Sequence, residues 1–425
     1  MVNEWKEYPF DEVIDFQEGP GILAKDFRDK GIPLIRLSGL ERGSSIFNGC
    51  NYLDPEMVKQ KWSHFSLQEG DILLSTSASL GRIAVVRREG IGAITYTGII
   101  RMRSRDASLF RPFIRYLLES PDFQHQVEMM GVGSVIRHFG PMHLRQMSVI
   151  LPPPDEQRSI THILGTLDDK IEINQEMNKT LESIAQAIFK YWFIDFEFPN
   201  EEDKPYKSSG GEMVYNKDFE KDIPKGWQVK ELPEVAKIVD CLHITKPIET
   251  KNEAYLLQVF NIVEYGLIDL SKKFHVSDEA YEFWTKNIEV VEGDCIISNA
   301  GRVGAIGQIP YWLKGGIGRN ITAVRPVTIT PTYLVEYLFS KFGQQEIEKQ
   351  TDSATVLNTL NVRGIKKIKI LIPHEKMMKK YEEISRPIRK KMEVNYINMS
   401  NLISLRDSLL PRLLSGKIRV PLEVR

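Results

Sequence analysis

Shifted against itself by about 221 residues, the sequence repeats, and a repeat of that period limits the fold more than any single motif does. LPPPDEQ at 151–157 falls on IPHEKMM at 372–378. Downstream, Ile160, Ile163, Leu167, Ile171, Leu181, Ile184, Ile188 and Trp192 fall on Tyr381, Ile384, Ile388, Met392, Leu402, Leu405, Leu409 and Leu413, every one apolar, and Asn174 falls on Asn395. Upstream, with small gaps, EGDILLS at 69–75 meets EGDCIIS at 292–298, GRIA at 81–84 meets GRVG at 301–304, and Trp5 meets Trp227. The chain therefore reads as two copies of one unit. Each is a mixed domain of about 150 residues, an ordinary domain size, followed by a helix.

Short β-like runs such as IPLIRL, DILLST and YLLQVFNIV alternate with turns, and one helix is expected near 111–130 with its counterpart near 332–350. These patterns predict an α+β fold with a curved, mostly antiparallel sheet and helices at its edge, in two tandem, pseudo-twofold-related copies. The expected segments are a first domain at 1–151, a helical spacer at 152–198, a polar linker at 199–223, a second domain at 224–372 and a second helical spacer at 373–425. Lys and Arg number 56 against 57 Asp and Glu, so global charge does not announce a polyanionic partner, although a local basic face would suffice. Cys50, Cys241 and Cys295 are odd in number and far apart, which predicts neither a disulfide framework nor a zinc site of ordinary spacing. No apolar run of about 18 residues appears, so no membrane span is expected. The start MVNEWKEYPFDEV is charged and without an apolar core, so a cytoplasmic protein is expected.

In the first helical segment, residues 160, 164, 167, 171, 174, 178, 181, 185, 188 and 192 alternate steps of four and three, the seam of a coiled coil. Gly165 followed by TLDD suggests a break and a new capping box, and Pro387 sits one position beyond the same point in the second copy. Each copy is thus expected to have a short helix, a break, and a long helix of about 28 residues, which spans roughly 42 Å. A single core helix in a bundle would carry the same stripe. Duplication favours mutual pairing: Ile160, Leu167, Ile171, Leu181, Ile188 and Trp192 against Ile388, Met392, Leu402, Leu409 and Leu413, as an antiparallel coiled coil holding two heads apart. Ile173, Met177, Phe189 and Phe193 lie beside the stripe and suggest a second, docking surface.

These helical segments carry a resemblance. LPPPDEQRSITHILGTLDDKIEINQEMNKTLESIAQAIFKYWFIDFE resembles the central conserved region of type I restriction–modification specificity subunits, and LRDSLLPRLLSGKIRV at 405–420 resembles their C-terminal conserved region. DIPKGWQVKEL at 222–232 is similar to the start of their second target recognition domain, and GDILLSTSASLGRI and GDCIISNAGRVGAI to a motif inside those domains. The resemblance implies a subunit that binds double-stranded DNA at a bipartite target, one half per recognition domain. It also implies docking of two adenine methyltransferase subunits and, through them, translocase–nuclease subunits. It does not say which bases are read.

No GxxxxGK[ST] loop, Asn/Asp-Pro-Pro-aromatic tetrapeptide or HExxH pair is present, so no catalysis, no metal and no cofactor is expected from motifs. An enzyme with its own methyltransferase or nuclease site, and a duplicated scaffold for proteins only, are the alternatives. Candidates for DNA contact are residue types that meet phosphates or base edges. STSASLGR offers Ser75, Ser77, Ser79 and Arg82, and its counterpart Ser298, Asn299 and Arg302. GSVIRHFG offers Ser134, Arg137 and His138, matched by Thr355, Asn358 and Asn361. RNITAVR adds Arg319 and Asn320, and VRGIKKIKI adds Lys366 and Lys367. RMRSR at 101–105 reads as a solvated strand face.

Overall fold

The computed structural model describes residues 5–41, 45–77, 80–130, 139–352 and 358–420. They fall into two compact units, one joining Met1–Lys170 to Leu402–Arg425 and the other comprising Ile171–Asn401. The first is discontinuous because the second helix returns to it.

Unit one is built on an antiparallel sheet of β1 (Ile14–Glu18), β2 (Ile72–Ser75), β3 (Ile83–Val85) and β4 (Ile99–Ser104), in the order β1-β4-β2-β3. Every residue of β2 is buried. Ile72 and Leu74 join Ile100 and Met102 in the main core, while Leu73 joins Ile99 and Ile35 in a smaller one. A strand covered on both faces needs apolar residues at consecutive positions, which is why ILLS does not alternate. Unit two repeats the sheet with β5 (Ala236–Asp240), β6 (Cys295–Ser298), β7 (Ile306–Gln308) and β8 (Ile321–Pro326), in the order β5-β8-β6-β7. A small second sheet, partly parallel, accompanies each: Leu34 pairs with Ile94 in unit one, and Leu256 with Gly316 in unit two.

The EGD motif sets the start of the central strand. Asp71 and Asp294 are buried, and each accepts a backbone N–H three residues upstream, from Gln68 at 2.7 Å and from Val291 at 2.9 Å. Each also takes a two-pronged guanidinium, from Arg103 at 2.6 and 2.7 Å and from Arg325 at 2.8 and 2.6 Å. A buried carboxylate is tolerable only with such partners. Arg103 is therefore committed to the turn, and Arg101, itself buried, bonds Asp15 at 2.9 Å. The reading of RMRSR as a solvated face does not hold.

The helix expected near 111–130 is two, Phe113–Glu119 and Pro121–Met130, and its counterpart is α3 (Pro331–Phe339) followed by Lys341–Gln350. A serine divides each pair. Ser120 Oγ accepts from the N–H of Phe123, and Ser340 Oγ from that of Gly343, both at 3.2 Å. After these, α1 (Pro141–Leu144) and α4 (Val362–Lys366) lead to a last strand in each unit, Ser148–Leu151 and Lys369–Ile372. The segment 199–223, expected to be a linker, is built into unit two. Phe198 stacks on Tyr206 and Trp227, and Met213–Asn216 forms a hairpin with Lys221–Pro224.

The long helices run unbroken: α2 covers Pro154–Phe189 and α5 covers Glu375–Leu414. Gly165 does not start a new helix. Thr166 turns its hydroxyl back to the carbonyl of His162 at 2.7 Å instead of capping. Pro387 lies inside α5, where it removes one hydrogen bond. Burial of Tyr381, Ser385, Arg389 and Met392 on either side holds the helix through it. In unit one the antiparallel pairing is marked by Asp168, which receives Arg406 at 2.9 Å, Arg115 at 3.0 Å and Tyr116 at 2.9 Å. In unit two Asn178 donates to the carbonyl of Met392 at 3.0 Å and accepts from Asn395 at 2.9 Å.

Of the expected seam, Ile160, Ile171, Trp192, Met392 and Leu413 are buried, whereas Leu167, Leu181, Ile188, Ile388, Leu402 and Leu409 are half-buried. Beyond Asn178 the buried residues of α2 are Glu182, Ala185 and Phe189, followed just past its end by Trp192, so the stripe keeps 185 and 192 but takes 182 and 189 in place of 181 and 188. A straight helix has 3.6 residues per turn and drifts from a strict heptad. Phe189 follows that drift into the unit-two core, against Tyr333 and Tyr381. Phe189 and Phe193 are thus core residues and not part of a second surface, while Ile173 and Met177 stay exposed.

Candidate nucleic-acid interface

In both units the loop after the central strand closes onto the segment that precedes the short helix. Thr76 N–H donates to Gly98 O at 2.8 Å, and Phe139 N–H to Thr76 O at 3.1 Å. In unit two Asn299 N–H donates to Asn320 O, and Leu360 N–H to Asn299 O, both at 2.8 Å. Gly98 has φ 83° and Asn320 φ 62°, so this corner needs a left-handed residue, and the second copy fills it with Asn, the side chain that best tolerates it.

The serines flagged by the sequence hold the turn together. Ser75 and Ser298 are buried, and their hydroxyls accept from the N–H groups of Arg82 at 2.9 Å and Ala305 at 3.0 Å. Ser75 O accepts from Gly81 N–H and Ser298 O from Gly304 N–H, and both glycines have positive φ. The equivalent of Gly81 is therefore Gly304, not Gly301, so the match of GRIA to GRVG is three residues out of register. Arg82 and Arg302 do not correspond. Arg82 pairs with Glu41 at 3.2 Å with both side chains substantially exposed, and Arg302 donates to the carbonyl of Ile262 at 2.6 Å.

In unit two the corner opens into a pocket of about 410 Å³ lined by Asp240, His243, Asn299, Asn320, Asn361 and Arg363, among others. Three residues singled out from the sequence, Asn299, Asn320 and Asn361, meet there, and Arg319 and Asn358 are exposed neighbours in the chain. Asn299 is fixed: its amide donates to Thr322 Oγ1 and to Leu360 O, both at 2.9 Å. Asn361 caps α4 by accepting from Gly364 N–H at 3.0 Å, a role that uses its oxygen and leaves the amide NH₂ for another partner. Asp240 takes the hydroxyl of Thr322 on one oxygen at 2.9 Å and meets His243 Nε2 with the other at 2.9 Å. Arg363 is exposed at the rim, and Lys366 and Lys367 are exposed at the other end of α4. Ser77 is half-buried near the unit-one corner. Ser79, Ser134, Arg137, His138 and Thr355 lie outside the described residues.

Arg363, His243 and Asp240 were missed by sequence reasoning. Arg363 stood in VRGIKKIKI, where the lysines drew attention; its place two residues after an N-cap Asn was the available signal. The set offers amide donors and acceptors, a guanidinium and an imidazole on fixed elements. It is suited to hydrogen-bonding planar edges and phosphates.

Comparison with known proteins gives consistent likenesses. Residues 2–183 match the family described as Type I restriction modification DNA specificity domain. The type I restriction enzyme MjaIX specificity subunit of Methanocaldococcus jannaschii is 26% identical over 409 residues, spanning 94% of this chain and 90% of that protein. The HindI specificity subunit of Haemophilus influenzae is 25% identical over 338 residues, 64% of this chain and 69% of that protein. The crystal structure of a type I restriction–modification S subunit from M. genitalium shares the fold, with a TM-score of 0.58 and 15% identity over 96% of each chain.

Proposed function

We propose, from the premise that this chain belongs to the specificity subunits of type I restriction–modification systems, that each unit reads one half of a bipartite DNA target. The recurrence of one hydrogen-bonded corner in two tandem copies carries this reading. Two similar readers on one chain suit a target in two parts. In the second unit the amide-rich pocket supplies base-edge contacts, through Asn320, Asn361 and Arg363. Lys366 and Lys367 meet phosphates and set register without carrying sequence information. In the first unit Ser134, Arg137 and His138, which precede Phe139 in the chain, take the same role.

The chain supplies specificity, and its partners supply the chemistry. Recognition domains at 1–151 and 224–372 present DNA, and the helical segments at 152–198 and 373–425 set the half-site spacing. The same segments dock two adenine methyltransferase subunits, through which translocase–nuclease subunits join. Exposed Ile173, Met177, Ile184, Ile384 and Leu405 are apolar residues on these helices open to such partners. With near-balanced charge, the chain by itself binds DNA weakly, and partner subunits complete the grip.

Co-expression with the partner methyltransferase, native mass spectrometry, and DNA binding across a salt series test this reading. Two methyltransferase copies per chain and a steep fall of affinity with salt are expected. A stable one-to-one complex at saturating partner would remove the docking model. Methyl transfer by the pure chain would favour the enzyme alternative.

A further inference from the structure

The end of β5 brings three different metal-ligating groups together. Asp240, Cys241 and His243 each place a donor atom within 4.8 Å of the others. Of the three, Asp240 is already oriented by neighbours. The second Asp240 oxygen is held by Thr322 Oγ1 and by the backbone N–H of Cys241, both at 2.9 Å, so the oxygen facing His243 is fixed in direction. Thr322 is itself fixed by Asn299. Partners of this kind hold first ligands in place and strengthen metal sites.

The internal repeat provides a control. By strand register, Glu18 opposite Ile100 in unit one corresponds to Asp240 opposite Thr322 in unit two. The residues that follow in unit one are glycines, Gly19 and Gly21, where unit two has Cys241 and His243. The fold thus closes this corner without sulfur or imidazole. At Gly19 even a Cβ would stand 2.2 Å from the carbonyl oxygen of Thr95. The cysteine and histidine belong to unit two alone.

We propose that Asp240, Cys241 and His243 bind one divalent transition-metal ion of the zinc class, with its remaining position facing the pocket of Asn320, Asn361 and Arg363. Sulfur, nitrogen and oxygen together suit that class, and three protein ligands leave one position for an outside donor. Binding takes the sulfur as thiolate and releases its proton to solvent. The ion ties the loop after β5 to the sheet and sets a positive charge in the pocket where an anionic oxygen of DNA would arrive.

The test uses the full chain and the metal alone. The chain, purified without chelator, is assayed for zinc, then stripped and titrated with cobalt(II). Expected are one equivalent of metal and a thiolate-to-cobalt charge-transfer band with the visible bands of a tetrahedral site. C241S removes the charge-transfer band, and H243Q, at an exposed position, lowers cobalt affinity by about 100-fold or more; T322V lowers it by about 10–100-fold, as loss of an outer partner does. No uptake, an octahedral cobalt spectrum without the sulfur band, or equal uptake by H243Q overturns the proposal. The metal readout is independent of DNA. A metal-loaded chain whose complex with the methyltransferase subunits binds no DNA would defeat the specificity reading and leave this one standing.

Discussion

Asn178 and Asn395 show how single residues fix the helix pair. They are buried and bond each other at 2.9 Å, and Asn178 also bonds the Met392 carbonyl. Asn178→Ala leaves a buried amide without its partner and should cost about 1–3 kcal/mol in denaturant unfolding. Asn178→Leu with Asn395→Leu should recover most of that loss while allowing the helices to slip in register, because the polar pair that penalises wrong alignments is gone. If the double variant were as unstable as the single one, the register argument would fail.

A second residue-scale feature is a shortage of positive charge. Glu182, Glu336 and Glu393 are buried around Arg389, whose own bond goes to the Gly266 carbonyl at 2.7 Å. Burial raises all three carboxyl groups, Glu336 and Glu393 to about 7, with Arg389 opposing the shift. A carboxyl raised in the folded state binds its proton more tightly there than in the unfolded chain. Stability from Glu336 and Glu393 is therefore full below the unfolded value near pH 4.5 and is lost as pH rises through about 7. Unfolding of Glu336→Gln followed by denaturant between pH 5 and 8, a range of about three units around that value, should show a flatter pH dependence than the parent. An unchanged slope would contradict the burial argument.

At the scale of elements, the repeat was legible because core packing and the helix stripe impose the same apolar positions on both copies. Helix continuity was not legible. Gly165 and Pro387 are local stop signals, and the buried residues on either side of each override them. The three-residue slip in matching GRIA to GRVG has a similar origin. Two glycines, Gly301 and Gly304, lie in one loop, and the identical GR pair drew the match. The hydrogen bonds that Ser298 accepts from the N–H groups of Gly304 and Ala305 show which glycine turns the chain. The pocket was half legible. Asn299, Asn320 and Asn361 stood out as residue types, whereas Asp240 and His243 join them only through the pairing of β5 with β8. Within α2 and α5, inserting four residues after Glu176 and four after Ile397 lengthens both helices by about 6 Å. Methylome sequencing should then find both half-sites retained and moved apart by one or two base pairs, about 3.4 Å each. An unchanged gap would show that the helices do not set the distance.

At the scale of the whole molecule, unit one depends on both ends of the chain. Arg419 grips buried Glu156 at 2.6 and 2.7 Å, and Trp5 Nε1 donates to the same carboxylate at 3.1 Å. Arg419→Ala should lower the stability of unit one by about 1–3 kcal/mol, since among the described residues Glu156 then keeps only its Trp5 partner. Hydrogen exchange should show the loss in residues 5–170 and leave 171–401 unchanged. The independence of the two units is also the central claim about function, and methylome sequencing of cells carrying Asn361→Ala with Arg363→Ala in the otherwise intact system tests it most directly. The account predicts methylated sites whose first half keeps its sequence while the second becomes degenerate, a lost base-edge contact costing about 1–3 kcal/mol of discrimination. Sites with both halves altered, or with neither altered, would contradict it.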